Sequence, residues 1–170
     1  GGEIQRVRLA GHLGSGLTGL TYILDEPSIG LHPRDNEKLL GALRSLQQQG
    51  NSVIIVEHDE ETIRSSDFVI DFGPLAGIHG GEIVFAGPTT SLLTAPNSLT
   101  GTYLSGEKTI TRNAKFRPLQ DKKLTLTQAT LHNLRGDTLT IPLERFTAIT
   151  GVSGSGKSSL ILETLYPALS

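Results

Sequence analysis

The run Gly151-Val152-Ser153-Gly154-Ser155-Gly156-Lys157-Ser158, with Ser159 behind it, constrains this chain more than any other stretch. It fits the pattern GxxxxGK[ST] in full, a loop that carries the chain from a strand into a helix around a phosphate group. Its glycines let backbone amides curl around phosphate oxygens, and the following helix points its positive end at them. Lys157 is placed to pair with the β- and γ-phosphates of a nucleotide, and the Ser158 hydroxyl to ligate Mg²⁺. The context agrees. Phe146 to Thr150 reads as a strand leading in, and Leu160, Ile161 and Leu165 mark a helix leading out.

The rest of the chain has the alternating rhythm that such a loop demands. Residues 3 to 13 carry Ile4, Val7, Leu9 and Leu13 among polar neighbours, as an amphipathic helix would, and Gly14, Gly16 and Gly19 break it. Leu20 to Leu24 is a β-rich apolar run ending in two acids. Arg34 to Gln49 reads as a helix with Leu39, Leu40, Leu43 and Leu46 on one face and Gly50 after its end. Val53 to Val56 reads as a second buried strand, a helix follows through about Ser66, and Phe68 to Asp71 reads as a third strand. Strand, helix, strand implies an α/β fold, a parallel sheet with crossover helices, and an antiparallel β element is expected beside it.

Gly80 to Gly87 suits a turn and an edge strand. From Ser105 to Lys123 the chain turns polar, which suits a linker, and Leu124 to Thr127 and Thr138 to Ile141 then alternate like strands. A new unit therefore begins near residue 124.

Three further features carry chemistry. Asp25 closes an apolar strand, where a carboxylate can hold a nucleotide's magnesium, and Glu26 stands where a general base can polarise water. Alone, the pair is also compatible with capping acids at a strand end. His58, at the end of the next strand, can contact a γ-phosphate and fix the attacking water, or serve as a structural hydrogen-bonder. Gly1-Gly2 opens a helix and offers a second anion-binding terminus.

Composition removes whole classes of function. There is no cysteine, so disulfides and thiolate zinc sites are excluded within this stretch. No apolar run approaches the ~20 residues of a membrane helix, and no signal peptide opens the chain, so a cytoplasmic protein is expected. The net charge of −2 announces no nucleic-acid partner. His12, His32, His79 and His132 lack metal-ligand spacing, and the basic run Lys108, Arg112, Lys115, Arg117, Lys122, Lys123 reads as a solvated linker. Tyr22 and Phe68 are expected in the core. The chain contains no methionine and stops at Ser170 inside an expected helix, so a fragment is expected.

In order, the motifs are GGEIQR, ILDEP, SIGLH, VEH and the phosphate loop. That order resembles the end of one ATP-binding cassette followed by the start of a second. The runs at residues 3–10, 24–35, 71–81 and 150–160, with Tyr103-Leu104-Ser105-Gly106, resemble more narrowly the UvrA family. These are tandem ATP-binding-cassette ATPases of the excinuclease in bacterial nucleotide excision repair. The resemblance runs from Gly1 to about Ala168.

It implies a first cassette ending near residue 104, a linker over 105–123 and a second cassette from 124. Gly1, Gly2, Glu3 and Gln5 match the tail of the LSGGQ-type signature, its Leu-Ser missing before residue 1. Ser28 to His32 falls on the D-loop, where many cassettes end in Asp. Asp25 falls on the Walker B acid, Glu26 on the catalytic glutamate and His58 on the switch histidine.

The resemblance also implies a dimeric ATPase using ATP and Mg²⁺, which scans DNA for damage and loads UvrB, the helicase of the excinuclease, within the SOS response. Its zinc modules would lie outside this stretch. Within a tandem protein, Gly1-Gly2-Glu3 and Gly151 to Ser158 would serve one nucleotide site, and Asp25, Glu26 and His58 the other. Neither site would be complete in this chain, so little or no ATP hydrolysis is expected of it alone.

A transporter ATPase would share the loop and Asp25-Glu26 without needing the run at 71–81. A ribosome-associated tandem cassette protein would carry a long charged helical arm, unlike 105–123. A truncated module that binds nucleotide or a partner without turnover, and a paralogue adapted to drug self-resistance, remain open alternatives.

Overall fold

The computed structural model describes residues 2–13, 16–75, 77–111, 118 and 120–170, and only the backbone of Glu3, Gln5, Arg8, Leu13 and Ile78. Gly1 and Gly14, and Arg112, Lys115 and Arg117 of the basic run, lie outside the described residues. The chain divides into two compact units, Gly1–Gly30 with Asn36–Thr111, and Leu31–Asp35 with Arg112–Ser170.

In the first unit, helix α1 (Gly2–Leu13) precedes strand β1 (Thr21–Asp25), and helix α2 (Pro33–Gln48) leads to strand β2 (Ser52–Val56). β1 and β2 are parallel, with Thr21 opposite Ser52 and Asp25 opposite Val56. Pro33 pre-sets the first turn of α2, and the helix buries a stripe of Asn36, Leu39, Leu43 and Leu46. Leu46 is fully buried, which stabilises by about 1.5–3 kcal/mol over leaving it exposed.

Gly50 ends α2 in the left-handed region, at φ 87°. Its N–H donates to Gln47 O and the Asn51 N–H to Leu46 O, the paired bonds of a Schellman stop. The buried Asn51 side chain then joins three segments. Its amide nitrogen donates to Leu17 O at 3.1 Å and Leu46 O at 3.0 Å, and its oxygen accepts the Leu20 N–H at 3.0 Å. A buried amide satisfied at every turn sets where β1 enters the sheet.

Helix α3 (Glu60–Ser65) follows β2, and strand β3 (Phe68–Gly73) comes next. The third strand departs from the expected parallel sheet. β3 pairs antiparallel with β4 (Glu82–Pro88), with a bulge at Asp71/Phe72, and β1 and β2 form a separate two-stranded sheet. Burial departs as well. Ile23, Ile54 and Val56 are exposed, and so are Ile70, Phe72 and Phe68, the last contrary to its expected place in the core. Tyr22 is half-buried, and only Leu24 of β1 is buried. Continuous apolar runs anticipate cover on both faces of a strand, and the described residues supply it on one.

Two short helices, α4 (Thr89–Leu92) and α5 (Leu99–Leu104), finish this unit. Leu92 and Ser98 are buried, and the Ser98 hydroxyl caps α5 while donating to Asp71 Oδ2 at 2.6 Å.

The second unit holds an antiparallel pair, β5 (Lys123–Leu126) and β6 (Leu139–Pro142), with Lys123 opposite Pro142. The expected strand at Phe146 to Thr150 is not formed, and Phe146 is fully exposed. A strand exists by its ladder, and no other strand among the described residues pairs with this one. Beyond the glycine-rich turn the chain is helical from Lys157 to Leu169. It runs as helix α6 (Lys157–Leu160), a π-turn (Ile161–Leu165) and helix α7 (Tyr166–Leu169).

Candidate nucleotide site

Two separate groups of side chains answer to the sequence motifs, one in each unit.

In the first unit the chemistry gathers where β1 and β2 end. Asp25 is the last residue of β1, opposite Val56, and is exposed. Glu26 leaves the strand with its N–H donated to Val56 O at 2.9 Å, and turns into the left-handed region at φ 45°. A non-glycine residue adopts that backbone only where its surroundings hold it there. Its carboxylate lies 3.6 Å from His58, Oε1 to Nδ1, with His58 79% and Glu26 44% exposed. In water that contact contributes little stability.

The loop after Glu26 is gripped from two sides. Arg6 of α1 donates through Nη1 to Pro27 O at 2.9 Å and Ile29 O at 3.3 Å. Glu57 accepts the Ser28 N–H on Oε1 at 2.8 Å and the His58 N–H on Oε2 at 3.2 Å. Arg6 and Glu57 lie inside the runs GGEIQR and VEH, but nothing in their spacing assigns either of them this part.

Asp59 caps α3. Its Oδ2 accepts from Thr62 N at 2.9 Å, the Thr62 hydroxyl at 2.8 Å and the buried Asn36 amide at 3.1 Å. Burial raises the Asp59 pKa, but the Thr62 and Asn36 hydrogen bonds and the neighbouring His58 together outweigh it and hold it below the ordinary value. Asp followed by two glutamates is a helix-start signal legible in the sequence.

Of the signature residues, Gly2 opens α1. Gly1 and the side chains of Glu3 and Gln5 lie outside the described residues.

In the second unit Gly151, Gly154 and Gly156 take φ of 147°, 75° and 97°, and Lys157 begins the helix. Val152, Ser153 and Ser155 form the turn between them, closed by Ser155 N donating to Val152 O at 3.2 Å. The Lys157 ammonium curls back over the loop and donates to Gly151 O and Val152 O, both at 2.8 Å. Ser158 and Ser159 follow in the first turn of the helix. At Gly156, whose φ of 97° favours glycine, a Cβ would stand 2.7 Å from Asn133 Oδ1, so a larger residue there is strained and must displace that side chain. Asn133 also donates to Gly154 O at 3.2 Å, and His132 meets Glu163 at 3.0 Å.

Among the described residues no group of three His, Cys, Asp or Glu side chains is placed to hold a metal, and no helix is long and apolar enough to cross a membrane.

No family model matches the chain. It is 57% identical over 169 residues to UvrABC system protein A of Thermus thermophilus, a match covering 99% of this chain and 18% of that protein. The Escherichia coli K12 protein of the same name is 57% identical over 168 residues, again across 18% of its length. Among solved structures, UvrA2 from Deinococcus radiodurans superposes with a TM-score of 0.89 at 46% identity, covering 99% of this chain and 20% of that one. The chain spans under a fifth of the length of the relatives it matches. Identity at this level across nearly every residue, with the same fold, places the chain in the UvrA family, of whose members it matches one segment.

Proposed function

We propose that this chain belongs to an ATP-hydrolysing, DNA-damage-recognition component of the excinuclease, and that it contributes parts of two nucleotide sites. The observation that supports this best is the meeting of Glu26 and His58 at the ends of two parallel strands. On this reading the chain is the end of one cassette (1–104), a linker (105–123) and the start of another (124–170).

Lys157 neutralises the β- and γ-phosphates, taking their oxygens in place of Gly151 O and Val152 O. Gly151 to Ser159 wrap the phosphates with backbone amides. Asp25 and Ser158 offer oxygen donors of the kind magnesium takes, each to its own site, where the ion would neutralise phosphate charge. Glu26 orients water and accepts its proton, while His58 holds the γ-phosphate side of that water. Gly1, Gly2, Glu3 and Gln5, as the tail of a signature, offer a helix terminus to a nucleotide's phosphates.

By the same reading the whole protein is a cytoplasmic homodimer that binds damaged duplex DNA and engages UvrB, the excinuclease helicase. Its zinc lies outside this stretch. The test uses a full-length UvrA-family host in which this stretch replaces the matching segment. ATP-dependent preference for a lesion-bearing duplex, and recruitment of UvrB to it, are expected. A host that turns over ATP without either would remove the repair function and leave a paralogue.

A further inference from the structure

Glu57 is a charged side chain to which the proposed chemistry gives no part, yet both its oxygens are engaged. Oε1 accepts the Ser28 N–H at 2.8 Å, and Oε2 accepts the His58 N–H at 3.2 Å. The first amide belongs to the loop that follows Glu26, and the second to the histidine that faces Glu26 at 3.6 Å. Opposite, Arg6 draws on the carbonyls of Pro27 and Ile29. The loop backbone is thus held by an anion at its amide and by a cation at its carbonyls, around a fully buried Pro27.

We propose that Glu57 is a positioning residue for hydrolysis. By joining Ser28 to His58 through one carboxylate, it sets the spacing between the Glu26 and His58 side chains without touching nucleotide. Bonds from amides to a carboxylate are stronger than neutral ones, and Glu26 needs such support because its left-handed backbone does not hold itself. Glutamine at this position keeps one acceptor and turns an N–H₂ toward the other amide, so it preserves half of the link. Alanine removes both halves. The inference rests on the reading of Glu26 and His58 as the pair that acts on water.

The test uses the full-length host, with the other cassette's catalytic glutamate changed to glutamine so that one site is read. ATP turnover, ATP affinity and thermal stability are measured for wild type, Glu57→Gln, Glu57→Ala and Glu26→Gln. Misplacing a reacting group by about 1 Å costs up to ~100-fold. Glu57→Gln is therefore expected to lower kcat by about tenfold and Glu57→Ala by about 100-fold, with ATP affinity unchanged within about twofold.

Wild-type kcat in Glu57→Gln overturns the proposal, and this variant decides if Glu57→Ala does not fold. Equal losses of kcat, affinity and thermal stability also overturn it, since they mark a purely structural residue. If Glu26→Gln keeps full turnover, the reading beneath the proposal fails with it. If Glu26→Gln is inactive while both Glu57 variants turn over normally, the positioning role alone falls.

Discussion

Glu26 and His58 approach to 3.6 Å across the ends of two parallel strands, although the sixteen residues of α2 lie between them in the chain. The register of β1 on β2 makes this possible, because Asp25 opposite Val56 lets both strands end at the same level. A one-residue slip would move one of the two groups away from the other.

The Asp59 cap makes local stability depend on pH. Its pKa is lowered in the folded chain, so its contribution is complete above the ordinary value of 3.8 and is lost as pH falls through the lower folded value. Hydrogen-exchange protection of Glu60–Ser65 is expected to hold at neutral pH and fall in that acid range. Asp59→Ala should lower it by about 1 kcal/mol at neutral pH and abolish its pH dependence there.

Gly101 makes a very tight approach in the first unit. A Cβ there would stand 2.1 Å from the Leu92 carbonyl oxygen, a backbone atom that cannot rotate away. Gly101→Ala is expected to cost about 1–3 kcal/mol and to expose Leu99–Leu104 to limited proteolysis. Ser98→Ala, which removes the cap and the bond to Asp71, should cost about 1–2 kcal/mol. Unchanged cleavage in both variants would contradict this packing.

If Gly151 to Ser158 cradle phosphate as proposed, substitutions there act on binding. Lys157→Ala is expected to weaken ATP binding by roughly 10- to 100-fold, the worth of a charge-assisted bond, by calorimetry on the full-length host. Gly156→Ala should weaken it as well, since alanine at φ 97° must also displace Asn133.

The sequence made some of this legible and hid the rest for identifiable reasons. The glycine turn of Gly151, Gly154 and Gly156 ahead of a helix and the stripe of Leu39, Leu43 and Leu46 were readable, because each is a pattern with a fixed spacing. The partner of β3 was not, since apolar runs do not say whether a neighbour runs parallel or antiparallel. Phe68 and Phe146 misled in the same way. Side chains that would be buried under a complete sheet stay exposed where nothing among the described residues covers them. Asn51, Arg6 and Glu57 act through backbone carbonyls and amides, which leave no mark in composition or periodicity.

The purified 170-residue chain is expected to show no ATP turnover above background, because each proposed site takes groups from outside it. Robust turnover that disappears in Glu26→Gln would contradict the division into two partial sites.

The central claim, that Glu26 activates water for ATP hydrolysis, is tested most directly by single-turnover hydrolysis in the full-length host with the other cassette silenced. Glu26→Gln is predicted to bind ATP normally and to hydrolyse it at least ~100-fold more slowly than wild type. Hydrolysis at the wild-type rate would contradict the account.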